Sequence, residues 1–80
     1  MYRLETTPKF DREFKKLDKY TQKIIISWIR KNFINCSNPY LHGKALRVGQ
    51  LRYRIGSYRL ICEIQDNQLV ILALSIDHQL

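Results

Sequence analysis

A two-residue turn constrains the middle of this chain more than any other feature. In "LRYRIGSYRLICEI", residues 51–64, Gly56-Ser57 separates two runs of alternating side chains. Alternation is the period of a strand with one covered face, and a Gly-X pair between two such runs is a hairpin turn. The loop length then sets the register. Ile55 faces Tyr58, Arg54 faces Arg59, Tyr53 faces Leu60 and Arg52 faces Ile61. Tyr53, Ile55, Tyr58, Leu60, Cys62 and Ile64 fall on one face, as core. Arg52, Arg54, Arg59, Ile61 and Glu63 fall on the other.

The second face needs a physical reason. Like charges directly opposite one another on paired strands repel. Glu63, two steps along the strand, is a poor remedy for the Arg54–Arg59 pair. A bound phosphate removes the repulsion, and the planar fork of arginine binds phosphate oxygens two at a time. Lys44 and Arg47, in "HGKALRVG", can extend the same surface. The competing reading is an ordinary solvated face.

Charge over the whole chain supports an anionic partner. There are 14 Lys and Arg against 7 Asp and Glu, a net charge of +7 on 80 residues. Such a balance favours nucleic acid, an acidic protein or an anionic membrane. The length fits one domain over residues 1–80, and an apolar share of 45% is enough for one core. Cys36 and Cys62 form no CxxC and have no metal-ligand spacing. Cys62 sits in an apolar run, as a buried thiol would. This cysteine usage fits a reducing cytosol, so a cytoplasmic protein is expected. The start, "MYRLETTPKF", is too polar for a signal peptide, and no apolar run nears the ~20 residues of a membrane span.

The rest of the chain gives an α+β order. "YRLET" alternates as a first short strand. Thr7 reads as a helix cap and Pro8 as the first helical residue, with Phe10, Phe14 and Leu17 on one stripe. Asp18 caps a second helix, whose inner side is Ile24, Ile25, Trp28, Ile29 and Phe33 and whose polar side carries Lys23, Arg30 and Lys31. The short break between the two helices predicts an antiparallel helical hairpin. "NCSNPYLHGKALRVG" reads as a loop. Three antiparallel strands follow, with "QDNQ" as a turn and "LVILALSI" as a strand buried on both faces. The expectation is a four-stranded sheet with helices on one face and the other face partly open.

This order, with the phrases "FDREFKKLD", "NPYLHGKALRVG", "LRYRIGSYRLICEI" and "LVILALSIDHQ", resembles the RelE/ParE toxin superfamily of bacterial toxin–antitoxin systems. The likeness spans essentially the whole chain, and "YRIGSYRLICEI" is its most specific part. It implies the RelE-like, microbial ribonuclease-type fold. The RelE branch implies a ribosome-dependent endoribonuclease that cuts mRNA without a metal or cofactor, by attack of the RNA 2′-hydroxyl on the adjacent phosphate. The ParE branch implies poisoning of gyrase instead. Both imply a cognate antitoxin, acidic and partly disordered, that wraps the toxin and links it to operator DNA.

On this resemblance Arg59 corresponds to the arginine at the scissile phosphate, and Arg54 and Arg52 to basic residues of the preceding strand. Lys44 and Arg47 resemble an RNA-contacting loop, to which His42 can add a contact. His78, an imidazole that can both give and take a proton, is the expected proton-transfer residue. The family's Gly-His-Arg-like phrase and later tyrosine are replaced by "DHQ" and the chain end at Leu80. Loss of one charge stabiliser commonly costs about 10²–10³ in rate. The alternative is therefore a non-catalytic toxin of the same fold that binds antitoxin and DNA or acts on gyrase.

Overall fold

The computed structural model describes residues 1–34 and 36–78. In chain order the elements are β1 (Arg3–Thr6), α1 (Pro8–Lys15), α2 (Lys19–Asn32), a 3-10 turn at Pro39–Leu41, β2 (Lys44–Arg47), β3 (Gln50–Ile55), β4 (Tyr58–Gln65), a second 3-10 turn at Asp66–Gln68, and β5 (Val70–His78).

Both helices begin where the sequence predicts. The Thr7 hydroxyl accepts from the Phe10 N–H at 3.2 Å, and Pro8 takes the first helical position. The same hydroxyl donates to the Ala73 carbonyl at 3.0 Å, tying the start of α1 to β5. Asp18 accepts from the Thr21 N–H at 3.3 Å and opens α2. The Gln22 amide donates to the Phe14 and Leu17 carbonyls, both at 3.0 Å, and so ties the first turn of α2 to the end of α1. The helical hairpin is thus closed by side chains as well as by its short connection.

The strand order is β1-β5-β4-β3-β2. β1 runs parallel to β5, and the other pairs are antiparallel. The sheet therefore has five strands, not the four expected. The extra one, β2, lies in the segment read as a loop. All four of its residues are exposed, so it carries no buried face for a periodicity argument to find. Its pairing comes from backbone geometry instead. Gly49 has φ +77°, a value that suits glycine, and this turns the chain from β2 into β3.

The β3–β4 register matches the predicted one at every pair from Ile55–Tyr58 to Arg52–Ile61. Gly56 has φ +59°, as the Gly-X turn requires. Helices cover the face carrying Tyr53, Leu60 and Cys62, each with no exposed surface. Phe33, Trp28 and Tyr53 meet edge to face, with centroids 4.9–5.5 Å apart. One inner-stripe expectation is corrected. Ile24 is 42% exposed, while Ile25 and Ile29 are buried. Ile24 lies at the margin of the stripe that α2 turns toward the sheet. β5 is buried along most of its length, up to Ile76, and its last residues Asp77 and His78 are exposed. No described helix is long and apolar enough to cross a membrane.

Candidate nucleic-acid interface

The face of the sheet away from the buried core can be mapped row by row from the register. One row reads Arg54, Arg59, Asp77 across β3, β4 and β5. The next reads Lys44, Arg52, Ile61, Ser75 across β2 to β5. A third reads Gln50, Glu63, Leu72 and, on β1, Glu5. Lys44, Arg52, Arg54 and Arg59 therefore gather in two adjoining rows with the carboxylate Asp77 beside them, while Glu63 and Glu5 lie in the third row, where Arg47 pairs with Gln50. Four cations against one carboxylate in two adjoining rows make a local positive field.

β2 is placed by contacts that reach into the core. The buried Tyr53 hydroxyl donates to the Pro39 carbonyl at 2.6 Å. Gly43 lies flat across the same ring: a Cβ there would stand 2.8 Å from Tyr53 Cε1 and 3.2 Å from the Leu51 Cβ. A side chain would push this segment off the sheet, so glycine is required. With Gly43 seated, the next residue, Lys44, comes opposite Arg52. Arg47 pairs with Gln50 after a one-residue irregularity and is exposed. His42 is exposed at the end of the Pro39–Leu41 turn, just before Gly43.

Arg59 is not left to face Arg54 alone. Its Nε and Nη2 donate to the two carboxylate oxygens of Asp77 at 3.2 and 3.1 Å. This two-point bond holds the Arg59 guanidinium even further toward its charged form than usual. Among the described residues Arg52 and Arg54 form no ion pair. In the sequence Asp77 stands in the terminal phrase "DHQ", with nothing nearby that marks it as the partner of Arg59. The missing signal was the β4–β5 register, which depends on a turn of uncertain length and on an irregularity at Ile61/Cys62.

His78 stands elsewhere. It pairs with Tyr58 and packs edge to face on that ring, with centroids 5.1 Å apart. Tyr58 packs against the core, so His78 has the parity of the helix-covered face. Arg59 and Asp77 have the opposite parity. The register thus separates His78 from the arginines with which it was grouped. Gln79, where the resembled family has an arginine, lies outside the described residues, as does Leu80.

A second polar cluster, which no sequence motif announces, lies away from the cations. At the far end of β4, Asp66 accepts from the hydroxyls of Tyr2 and Tyr40, the latter at 2.8 Å. The two hydrogen bonds hold the Asp66 carboxyl below its usual range. The same bond, followed by burial, pushes the Tyr2 hydroxyl up to about 12. This cluster ties the N-terminus, the Pro39–Leu41 turn and the β4–β5 turn together. Cys62 is a buried thiol whose pKa burial raises, which makes it inert. No group of three His, Cys, Asp or Glu side chains among the described residues is placed to hold a metal ion.

Comparison with known proteins agrees with this architecture. The profile of the ParE toxin family of type II toxin–antitoxin systems matches residues 4–80. No curated protein matches. Among solved structures, the chain is similar to a chain of the RelBE2 toxin–antitoxin complex of Mycobacterium tuberculosis, at 29% identity over 98% of each chain with a TM-score of 0.73. It is also similar to a chain of the intact E. coli RelBE complex, at 15% identity over 100% of this chain and 98% of that one, TM-score 0.80. The archaeal RelE–RelB complex of Pyrococcus horikoshii gives 17% identity over 98% and 94%, TM-score 0.73. These last two likenesses are of fold. With the profile covering nearly all of its length, the chain belongs to the ParE toxin family of type II toxin–antitoxin systems, within the RelE/ParE superfamily.

Proposed function

We propose that this toxin is a metal-independent endoribonuclease that cuts mRNA on the ribosome. The observation that carries the reading is the pair Arg54–Arg59 on the open face of the sheet, with Lys44 and Arg52 in the adjoining row. In the reaction the 2′-hydroxyl oxygen attacks the neighbouring phosphorus and the 5′-oxygen of the next nucleotide departs. The proton lost by the first oxygen is matched by one gained at the second, and a 2′,3′-cyclic phosphate remains. Negative charge grows on the phosphoryl oxygens along the way. Arg59 and Arg54 are assigned to that charge, and Arg52 adds to the field. Lys44, Arg47 and His42 are assigned to the RNA backbone on either side. Because His78 has the opposite parity, the reading rests on charge stabilisation and positioning, and none of the described residues is assigned to proton transfer.

The proposed partner in the resting state is a cognate antitoxin. Its support is that the similar chains from M. tuberculosis, E. coli and P. horikoshii come from toxin–antitoxin complexes. An acidic, partly disordered segment suits a surface of +7. Any contact with operator DNA would run through that antitoxin.

Primer extension on mRNA incubated with ribosomes tests the reading. New stops inside codons are expected with this chain and not with Arg59→Ala. A folded chain that gives no stops overturns it. The match to the ParE profile favours a second reading, in which the target is gyrase. DNA cleavage complexes formed with purified gyrase, in the absence of mRNA stops, would establish that one.

A further inference from the structure

We propose that Asp77 is a built-in competitor for the anion that Arg59 binds, so that the arginine pair is held partly neutralised until phosphate displaces the carboxylate. The inference rests on the phosphate-binding reading of the arginine face and adds to it a residue that sets the affinity. Its basis is geometric. Asp77 and Arg59 are cross-strand neighbours on β5 and β4, and Arg54 is the neighbour of Arg59 on the other side. Asp77 takes the Nε–Nη2 edge of the guanidinium with both of its oxygens, at 3.2 and 3.1 Å. That is the edge, and the two-point geometry, with which arginine grips a phosphate.

The row consequently has a resting charge of one cation rather than two. This accounts for how a domain of this size tolerates Arg54 opposite Arg59 in the free state. The pair is exposed enough to exchange, with 38% of the Arg59 side chain and 47% of the Asp77 side chain accessible to solvent. An RNA phosphate carries the same charge as the carboxylate and brings further contacts from Lys44 and Arg52. It therefore wins where the RNA is held by the rest of the surface and loses where a lone phosphate arrives. Asp77 in this way selects for extended RNA over small anions.

The test is binding of a fluorescent single-stranded RNA of ten nucleotides, followed by anisotropy at two salt concentrations. Asp77→Asn keeps the shape and removes the charge. It is expected to tighten binding roughly three- to tenfold at low salt, and by less at high salt, as an interaction between charges a few ångströms apart in water would. Asp77→Glu, which keeps the charge, is expected to stay near the parent. In the Arg59→Ala background, Asp77→Asn is expected to change little, because the edge it competes for is gone. Inorganic phosphate as competitor should displace the RNA more readily from Asp77→Asn than from the parent.

Weaker or unchanged binding by folded Asp77→Asn overturns the proposal, as does equal tightening with and without Arg59. Failure to bind the RNA by every folded variant overturns it too. The readout needs neither ribosome nor cleavage. Tightening through Arg59 with no mRNA stops would keep the competitor and remove the endonuclease. Stops without tightening would do the reverse.

Discussion

On the covered side of the β3–β4 hairpin, Tyr53, Leu60 and Cys62 have no exposed surface. On the other side Arg52, Arg54 and Arg59 stand in adjoining rows with Lys44. The two sets interleave residue by residue along the same two strands. A hairpin of this kind separates its duties by parity alone: even one step of register slip would exchange core and cations. The turn at Gly56-Ser57 thus sets the core face and the cation face together. The comparison also predicts that substitutions on the two sides move different measurements.

The largest effect is expected on the covered side. Leu60→Ala should lower stability by about 2–5 kcal/mol, because it opens a cavity in a core that cannot fully collapse. A domain of this size has roughly 4–12 kcal/mol to lose. Thermal unfolding should shift by ~10 °C or more. A shift of only a degree or two would mean that the helices do not depend on this face, and the contrast between the faces would fail.

Arg59→Ala should show the mirror image. Cleavage and toxicity are expected to fall about 10²–10³-fold. Thermal unfolding should stay close to the parent, since the Arg59–Asp77 pair is exposed and the Arg54 repulsion goes with it. Full toxicity from a folded Arg59→Ala chain would reduce the open face to plain solvated surface. A large drop in unfolding temperature would mean that the two faces are not separable in the way the hairpin implies.

How far the sequence revealed this arrangement depends on which residues set it. The β3–β4 register was legible because a two-residue turn leaves no freedom in pairing. Thr7-Pro8 and Asp18 were legible because capping is a local hydrogen bond between near neighbours in the chain. β2 was not, because its four residues are exposed and its pairing depends on Gly43 resting on Tyr53, a contact across the chain. The parallel pairing of β1 with β5 likewise joins the two ends of the chain. At the candidate site the cations could be read from alternation. The Asp77 partner and the displacement of His78 to the other face needed the β4–β5 register, which contains an irregularity.

A smaller and more selective perturbation bridges the two sides. Tyr53→Phe removes only the hydroxyl that donates to the Pro39 carbonyl. It should cost about 1–2 kcal/mol, as a hydrogen bond lost with its acceptor left buried. Its particular consequence is expected at β2. Amide hydrogen exchange should quicken at Lys44–Arg47 before it does in β4, and RNA binding should weaken through Lys44. Uniform quickening across the sheet would show that β2 is not anchored by this bond.

The smallest effect is expected at the Tyr2–Asp66–Tyr40 cluster, and pH separates it from both faces of the hairpin. The folded-state pKa of Asp66 is lowered by the Tyr2 and Tyr40 hydroxyls. Its contribution is therefore fully present above the ordinary aspartate value of ~3.9 and is lost as pH falls through the lower folded value. Tyr2 has the opposite sign. Its pKa is raised to about 12. What it contributes is present below the ordinary tyrosine value of ~10 and disappears as pH rises through the folded one. Asp66→Asn should flatten the acid side of a plot of unfolding midpoint against pH, and Tyr2→Phe the alkaline side. Neither should alter RNA binding at neutral pH, because Asp66 follows the end of β4 farthest from Arg59. An Asp66→Asn chain that unfolds normally yet loses RNA binding would place part of the functional surface at that end of the sheet, and the cation rows alone would no longer account for it.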